Sequence, residues 1–74
     1  MDNIVAIQCA MDAGKKLEFV YESKNKAEGP KRYVLTPKWW LSGSTLRLFQ
    51  ADKDGEGKRF HVADIVGVAT VVSD

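Results

Sequence analysis

The sequence predicts a mainly β domain in which one N-terminal helix precedes five short antiparallel strands, rolled into a small Sm-like or SH3-like barrel. Three observations predict this fold class. Apolar residues recur at helical spacing in the first thirteen positions, they alternate with a period of two from Leu17 onward, and short polar turns separate the alternating segments. A chain of 74 residues has room for one small domain, so residues 1–74 are predicted to form a single unit.

The helix is predicted over about Asn3–Ala13. Asp2 and Asn3 both suit the N-cap position, and Gly14 suits the left-handed residue that ends a helix. The expected apolar stripe consists of Ile4, Val5, Ile7, Cys9 and Met11. Cys9 is therefore predicted to be a buried, inert thiol. So short a helix is marginal alone and must pack on the sheet.

The first strand begins at Leu17. Leu17, Phe19 and Tyr21 fall on one face, whereas Glu18 and Glu22 fall on the other. This pattern indicates a strand with one face against the core and one in water.

The second strand is predicted over Lys31–Leu41, after a polar loop at residues 23–29. Pro37 lacks a backbone N–H for the ladder and so marks an edge or a bulge where the strand bends. Trp39 and Trp40 are adjacent, so one must face the core and the other water or a partner.

A turn at Ser42, Gly43 and Ser44 leads to the third strand, predicted over Thr45–Ala51. Leu46 and Leu48 are expected on one face, with Arg47 and Phe49 on the other.

The fourth strand is predicted over Lys58–Val62, after an acidic, glycine-rich turn at residues 52–57. Alternation places Phe60 and Val62 inward, with Arg59 and His61 outward.

A single helical turn is predicted at Ala63 and Asp64, before a closing strand over Ile65–Val72. That strand is a β-branched run in which Gly67 permits a kink. Its continuous apolar character predicts burial on both faces.

Composition excludes several functions. One cysteine and one histidine provide neither an internal disulfide nor a four-ligand zinc site, so no metal or cofactor is expected. The acidic turn resembles the first half of a calcium loop, but Ala63 occupies the twelfth position, where a bidentate glutamate belongs. No phosphate-binding glycine loop, catalytic carboxylate pair or serine triad is present, so we expect a non-enzymatic protein.

The sequence has no signal peptide and no apolar run long enough for a membrane span, so we expect a cytoplasmic protein with no membrane partner.

Basic and aromatic residues concentrate in the middle of the chain, where Gly14–Lys38 carries a net charge of +4 within a total of +1. The candidate contact residues there are Arg32, Tyr33, Lys38, Trp39, Trp40, Arg47 and Phe49. Such a set could stack an exposed base and hold phosphates, contact a protein partner, or serve packing alone, and all three interpretations stay open.

The motifs of four segments together resemble a WYL domain. These segments are Ile7–Ala10, Lys16–Tyr21, Lys31–Pro37 and Lys58–Ile65. The resemblance implies an Sm-like barrel of the kind found in bacterial transcription regulators, where WYL domains are thought to bind nucleic acid or small ligands. The family's naming Trp-Tyr-Leu is replaced here by Leu46, Arg47 and Leu48.

The same resemblance implies an alternative function as a sensor of a small nucleotide-like or anionic ligand. Its pocket would use Tyr21 and Arg32, joined by Arg59 and His61. Asp64 stands where the family has a ligand-facing arginine. The negative charge of Asp64 would repel an anion. The competing structural interpretation is cross-strand ion pairing with Glu18 or Glu22.

No helix-turn-helix precedes Asn3, so we expect a free-standing barrel. Its strand edges leave a homo-oligomer formed by edge-to-edge pairing possible.

Overall fold

The computed structural model describes residues 2–24, 28–53 and 55–72. One helix, α1, spans Asn3–Ala13. Five strands follow, β1 (Lys16–Tyr21), β2 (Lys31–Trp40), β3 (Leu48–Lys53), β4 (Glu56–His61) and β5 (Ile65–Val72), with 3-10 turns at Gly43–Thr45 and Val62–Asp64. Residues 25–27 of the predicted 23–29 loop and residue 54 of the acidic turn lie outside the described residues.

The strands form one antiparallel sheet in the order β4-β3-β2-β1-β5, which confirms the predicted mainly β class with five antiparallel strands after one helix. The long strand β2 joins its two halves, since residues 31–35 pair with β1 and residues 36–40 pair with β3. Among the described residues β4 and β5 remain the two edges of the sheet, without a ladder that closes it into a cylinder.

The helix has the predicted bounds and caps. The Asp2 carboxylate accepts a hydrogen bond from the Ile4 N–H at 3.0 Å, and Gly14 ends the helix with a φ of 65°. The buried face is narrower than predicted, because it consists of Ala6, Ile7 and Ala10.

The prediction that Cys9 is buried is wrong, since its side chain is exposed, as is that of Val5. The small side chains of Ala6 and Ala10 rest against the sheet, which turns the neighbouring Val5 and Cys9 toward solvent.

An aromatic cluster fills the interior of the curved sheet. Phe19 lies at its centre, stacked on Tyr33 and edge-on to Phe49 and Phe60 at centroid distances of 5.1–6.0 Å. The buried hydrophobic residues are Ala6, Ile7, Ala10, Leu17, Phe19, Leu35, Phe49, Ala51, Phe60, Ile65 and Ala69. This core confirms that Leu17, Phe19 and Phe60 face inward.

Strand β2 contains the bulge predicted at Pro37. Pro37 pairs with Ala51 and Trp39 with Gln50, so Lys38 is an extra residue on β2. Pro37 is buried in a central strand, so of the two predicted alternatives, a bulge or a strand edge, the structure shows the bulge.

The predicted third strand starts too early, since β3 begins at Leu48 and not at Thr45. The Ser42 hydroxyl accepts hydrogen bonds from the N–H groups of Arg47 and Leu48 at 2.9 and 3.0 Å, which holds the preceding segment as a loop. Leu46 has a φ of 51° there, outside the strand region. Phe49, a candidate contact residue in the sequence, is buried in the core, and Leu48 is half-buried.

Strand β5 has the predicted bounds, but burial on both faces is wrong. Val66 and Val68 are 48% and 66% exposed, because no element of the described residues covers the outer face of β5. Gly67 has a φ of 75° at the register shift between β5 and β1, which confirms the predicted kink.

Candidate functional site

One row of side chains crosses three strands on the solvent-facing side of the sheet. Trp39 of β2 pairs with Gln50 of β3, and Gln50 pairs with Arg59 of β4. Directly paired residues have Cβ atoms about 5 Å apart on the same face. We call this surface the outer face; it comprises Lys38, Trp39, Gln50, Asp52, Arg59 and His61.

The bulge in β2 determines what the outer face presents. Regular alternation from the buried Pro37 would turn Trp39 inward. The extra residue Lys38 instead leaves both Lys38 and Trp39 exposed, with 53% of Trp39 accessible. A cation and an indole ring thus lie side by side on one surface.

Gly57 gives Gln50 its space on the outer face. A Cβ atom at Gly57 would lie 2.2 Å from Nε2 of Gln50, so the amide occupies the volume that any larger residue would fill. Gln50 therefore extends from β3 toward β4.

The charges of the outer face are only lightly compensated. Lys38 Nζ lies 3.7 Å from Asp52 Oδ2, and both side chains are about 40% exposed. A surface pair of this kind contributes at most about 1 kcal/mol, so the ammonium group remains available to an anion. Arg59 forms no ion pair with a described carboxylate.

Trp40 belongs to the core and not to the outer face. Its ring packs edge-on against Phe49 at 6.0 Å, and its Nε1–H donates a hydrogen bond to Oε1 of Gln8 at 2.8 Å. One of the two adjacent tryptophans was predicted to face inward and the other outward. Trp40 is the inward residue and Trp39 is the outward one.

Arg47 lies at one end of the outer face. Its carbonyl oxygen accepts a hydrogen bond from the Val62 N–H at 2.9 Å, which ties the loop before β3 to the end of β4. Arg47 and His61 consequently line the same apolar groove of about 490 Å³, together with Ile4 and Leu46.

Arg32 is separated from the other candidate residues. Its guanidinium is paired with the Glu18 carboxylate across β1 and β2, on the opposite face of β2 from Tyr33. This is the cross-strand ion pair considered as the structural alternative. Arg32 does not join Tyr21 in a common pocket, so the implied ligand pocket is not assembled as expected.

Tyr21 and Tyr33 lie on the inner side of the sheet, near one end. The Tyr21 hydroxyl accepts a hydrogen bond from the His61 N–H at 2.9 Å and lies 3.4 Å from Asp64 Oδ2, to which it donates. Burial raises the pKa of Tyr21 above its ordinary value, and the nearby Asp64 carboxylate raises it further.

A cavity of about 270 Å³ opens beside these two tyrosines, and Arg59 and His61 also line it. Lys31 and Lys58 line the same cavity and were not among the sequence candidates. Lys58 is two residues from Phe60, and Lys31 is two residues from Tyr33, so period-two alternation could have placed both lysines on the inner side of the sheet. Gln50 was likewise missed, because its role depends on the register of β3.

Within residues 2–24, 28–53 and 55–72, no group of three or more potential ligands is placed to hold a metal ion. No helix in those ranges is long and apolar enough to cross a membrane. Comparisons with protein-family models, curated proteins and solved structures give no match to this chain.

Proposed function

We propose that this chain is a non-enzymatic, cytoplasmic binding module that engages single-stranded nucleic acid through the outer face, as a WYL-like regulatory domain. The observation that carries the proposal is the in-register row of Trp39, Gln50 and Arg59, with Lys38 beside the indole.

Trp39 provides the stacking surface. An indole that is 53% exposed leaves a broad apolar face in water, a position that a nucleobase fills well. Base stacking on an aromatic side chain contributes about 1–3 kcal/mol per base and requires an unpaired strand. Gln50 pairs with Trp39 but extends its amide toward β4, where it offers both a donor and an acceptor between the indole and Arg59.

Lys38 and Arg59 provide the phosphate contacts. They stand on β2 and β4 on either side of the Trp39–Gln50 pair, so a strand stacked on Trp39 passes within reach of a cation on each side. Arg47 and His61 extend this path toward the end of β4. With Asp52 as the acid of the outer face, the surface carries a small positive excess.

Affinity for the strand should therefore be modest and dependent on salt. Two or three phosphate contacts predict a slope of about −1.4 to −2.1 for log K against log salt concentration. A near-neutral chain does not add a strong nonspecific field to these contacts.

The test is fluorescence anisotropy with labelled oligothymidylate and oligouridylate, titrated at several salt concentrations. Saturable binding that weakens with this slope supports the proposal. Absence of binding at low salt contradicts it and favours a protein partner on the same face.

The matched variants are Trp39→Ala and Val68→Ala, since both remove an exposed apolar side chain from the sheet. Trp39→Ala should weaken binding by about 5- to 100-fold through lost stacking. Trp39→Phe should restore part of it, and Val68→Ala should leave it unchanged. Equal losses in the Trp39 and Val68 variants would remove the outer face from the binding site.

A further inference from the structure

Two lysines converge on one aromatic ring at the inner end of the sheet. Lys31 Nζ lies 5.6 Å from the centroid of Tyr33, and Lys58 Nζ lies 5.8 Å from the same centroid. Lys31 is on β2 and Lys58 is on β4, which are not neighbours because β3 lies between them. The curvature of the sheet brings both lysines to the same ring.

Two ammonium groups that line one cavity repel each other unless something compensates them. Cation–π attraction to Tyr33 supplies part of the compensation. The ion pairs of the described residues are Arg32–Glu18 and Lys38–Asp52, so neither lysine is paired with a described carboxylate.

The surroundings form a small cavity with a net positive lining. Lys31, Lys58 and Arg59 line its 270 Å³, against the two carboxylates of Glu28 and Asp64. Asp64 already accepts a hydrogen bond from the Tyr21 hydroxyl, which occupies one of its carboxylate oxygens. The cavity therefore offers at least two ammonium groups to a ligand, over a floor that includes Tyr33 and Phe60.

We infer that this cavity binds the phosphate group of a small phosphomonoester, with Lys31 and Lys58 as its two cationic contacts and Tyr33 as the aromatic surface beneath. A phosphate dianion matches two converging ammonium donors in charge and in hydrogen-bonding capacity. The volume admits the phosphate together with a small organic group. The two lysines lie on the opposite side of the sheet from the outer face, because Lys58 alternates with the outward Arg59 on β4, and Arg59 and His61 border both sites.

The test is an NMR titration of the whole chain with inorganic phosphate, ribose 5-phosphate and neutral ribose. We expect saturable shifts at the backbone amides of Lys31, Tyr33 and Lys58 with both phosphates and none with ribose. Tighter binding of ribose 5-phosphate supports an organic phosphate as the ligand, whereas equal affinities support recognition of the phosphate group alone. Shifts with ribose of equal size, or no saturation by about 20 mM phosphate, would overturn the inference.

Charge-neutralising variants separate this site from other lysines. Lys31→Gln and Lys58→Gln should each weaken phosphate binding by about tenfold, the effect of one lost charged hydrogen bond. Lys15→Gln removes the same charge from an exposed lysine outside the cavity and should have no effect. Trp39→Ala should also leave phosphate binding unchanged, so failure of one proposed site does not decide the other. Unchanged affinity in both cavity variants would refute the assignment.

Discussion

The indole N–H of Trp40 donates a hydrogen bond to the side-chain oxygen of Gln8, which connects β2 to α1 across the core. The adjacent Trp39 has its ring in solvent on the opposite face. Two identical neighbouring side chains thus have different roles, and their substitutions should separate stability from binding.

Replacement of Trp40 by alanine should lower the free energy of unfolding by about 3 kcal/mol, because it leaves a cavity beside Phe49. Trp39→Ala should change the same quantity by less than about 0.5 kcal/mol. Urea denaturation followed by circular dichroism measures both. If Trp40→Ala is too unstable to give a folded baseline, Trp40→Phe should show a smaller loss of the same sign. Similar effects of the two alanine variants would contradict the placement of the two rings.

Asn3 connects the start of α1 to the free edge of β5. Its side-chain Nδ2 donates to the Gly67 carbonyl at 3.0 Å, and its Oδ1 accepts from the Ala69 N–H at 2.8 Å. The amide thus occupies backbone groups that an incoming strand would need. Asn3→Ala should lower the free energy of unfolding by about 1–3 kcal/mol, since it leaves these two groups unpaired.

The same Asn3 variant tests the expected edge-to-edge oligomer. With the middle of β5 uncovered, Asn3→Ala should associate more strongly than the parent chain at equal concentration, as measured by sedimentation velocity. Asp2→Ala, which removes the neighbouring N-cap bond without uncovering β5, is the control. An identical sedimentation distribution for Asn3→Ala and Asp2→Ala would argue against this edge.

We predict that the titration of Tyr21 lowers the free energy of unfolding at high pH. Its pKa is raised in the folded chain above the ordinary value of 10.0, mainly by burial. Above pH 10 the unfolded chain releases the phenolic proton more readily than the folded chain does, so the free energy of unfolding falls as pH rises. Below that range this contribution is constant.

Tyr21→Phe should flatten the decline in the free energy of unfolding above pH 10, as measured by urea denaturation at a series of pH values. At neutral pH the variant should be destabilised by about 1 kcal/mol, because the His61 N–H loses its acceptor. A decline that is equally steep in both chains would assign it to other groups.

The exposed thiol of Cys9 should react in the native state. We expect Ellman's reagent to modify Cys9 without denaturant at a rate close to that of the urea-unfolded chain, since the side chain is exposed. Cys9→Ser provides the blank. Reaction of the thiol only after unfolding would contradict its exposed position and support the burial that helical spacing predicts.

Much of the fold could be predicted because local signals were strong. The caps at Asp2 and Gly14 gave the correct helix bounds, and period-two alternation identified the inward faces of β1 and β4. The inward face of β3 was left open because apolar residues fall on both of its faces, with Leu46 and Leu48 on one and Phe49 on the other. The exposure of Val66 and Val68 was missed because an apolar run does not show which face of a strand other elements cover.

The candidate site was predictable in its residue types more than in its grouping. Alternation correctly placed Arg59 and His61 outward. That they share a surface with Trp39 depends on the pairing of β2, β3 and β4. Lys31 and Lys58 were missed for the same reason, since they meet only through curvature between strands that are not adjacent. The WYL resemblance remains a prediction.

The bulge in β2 has a consequence for sequence change. Lys38 is the supernumerary residue, so its deletion would join Pro37 directly to Trp39 and return the strand to regular alternation. Both indoles would keep their present sides. Deletion or insertion of this one residue would therefore remove or add a positive charge on the outer face, without changing which side chains of β2 face the core.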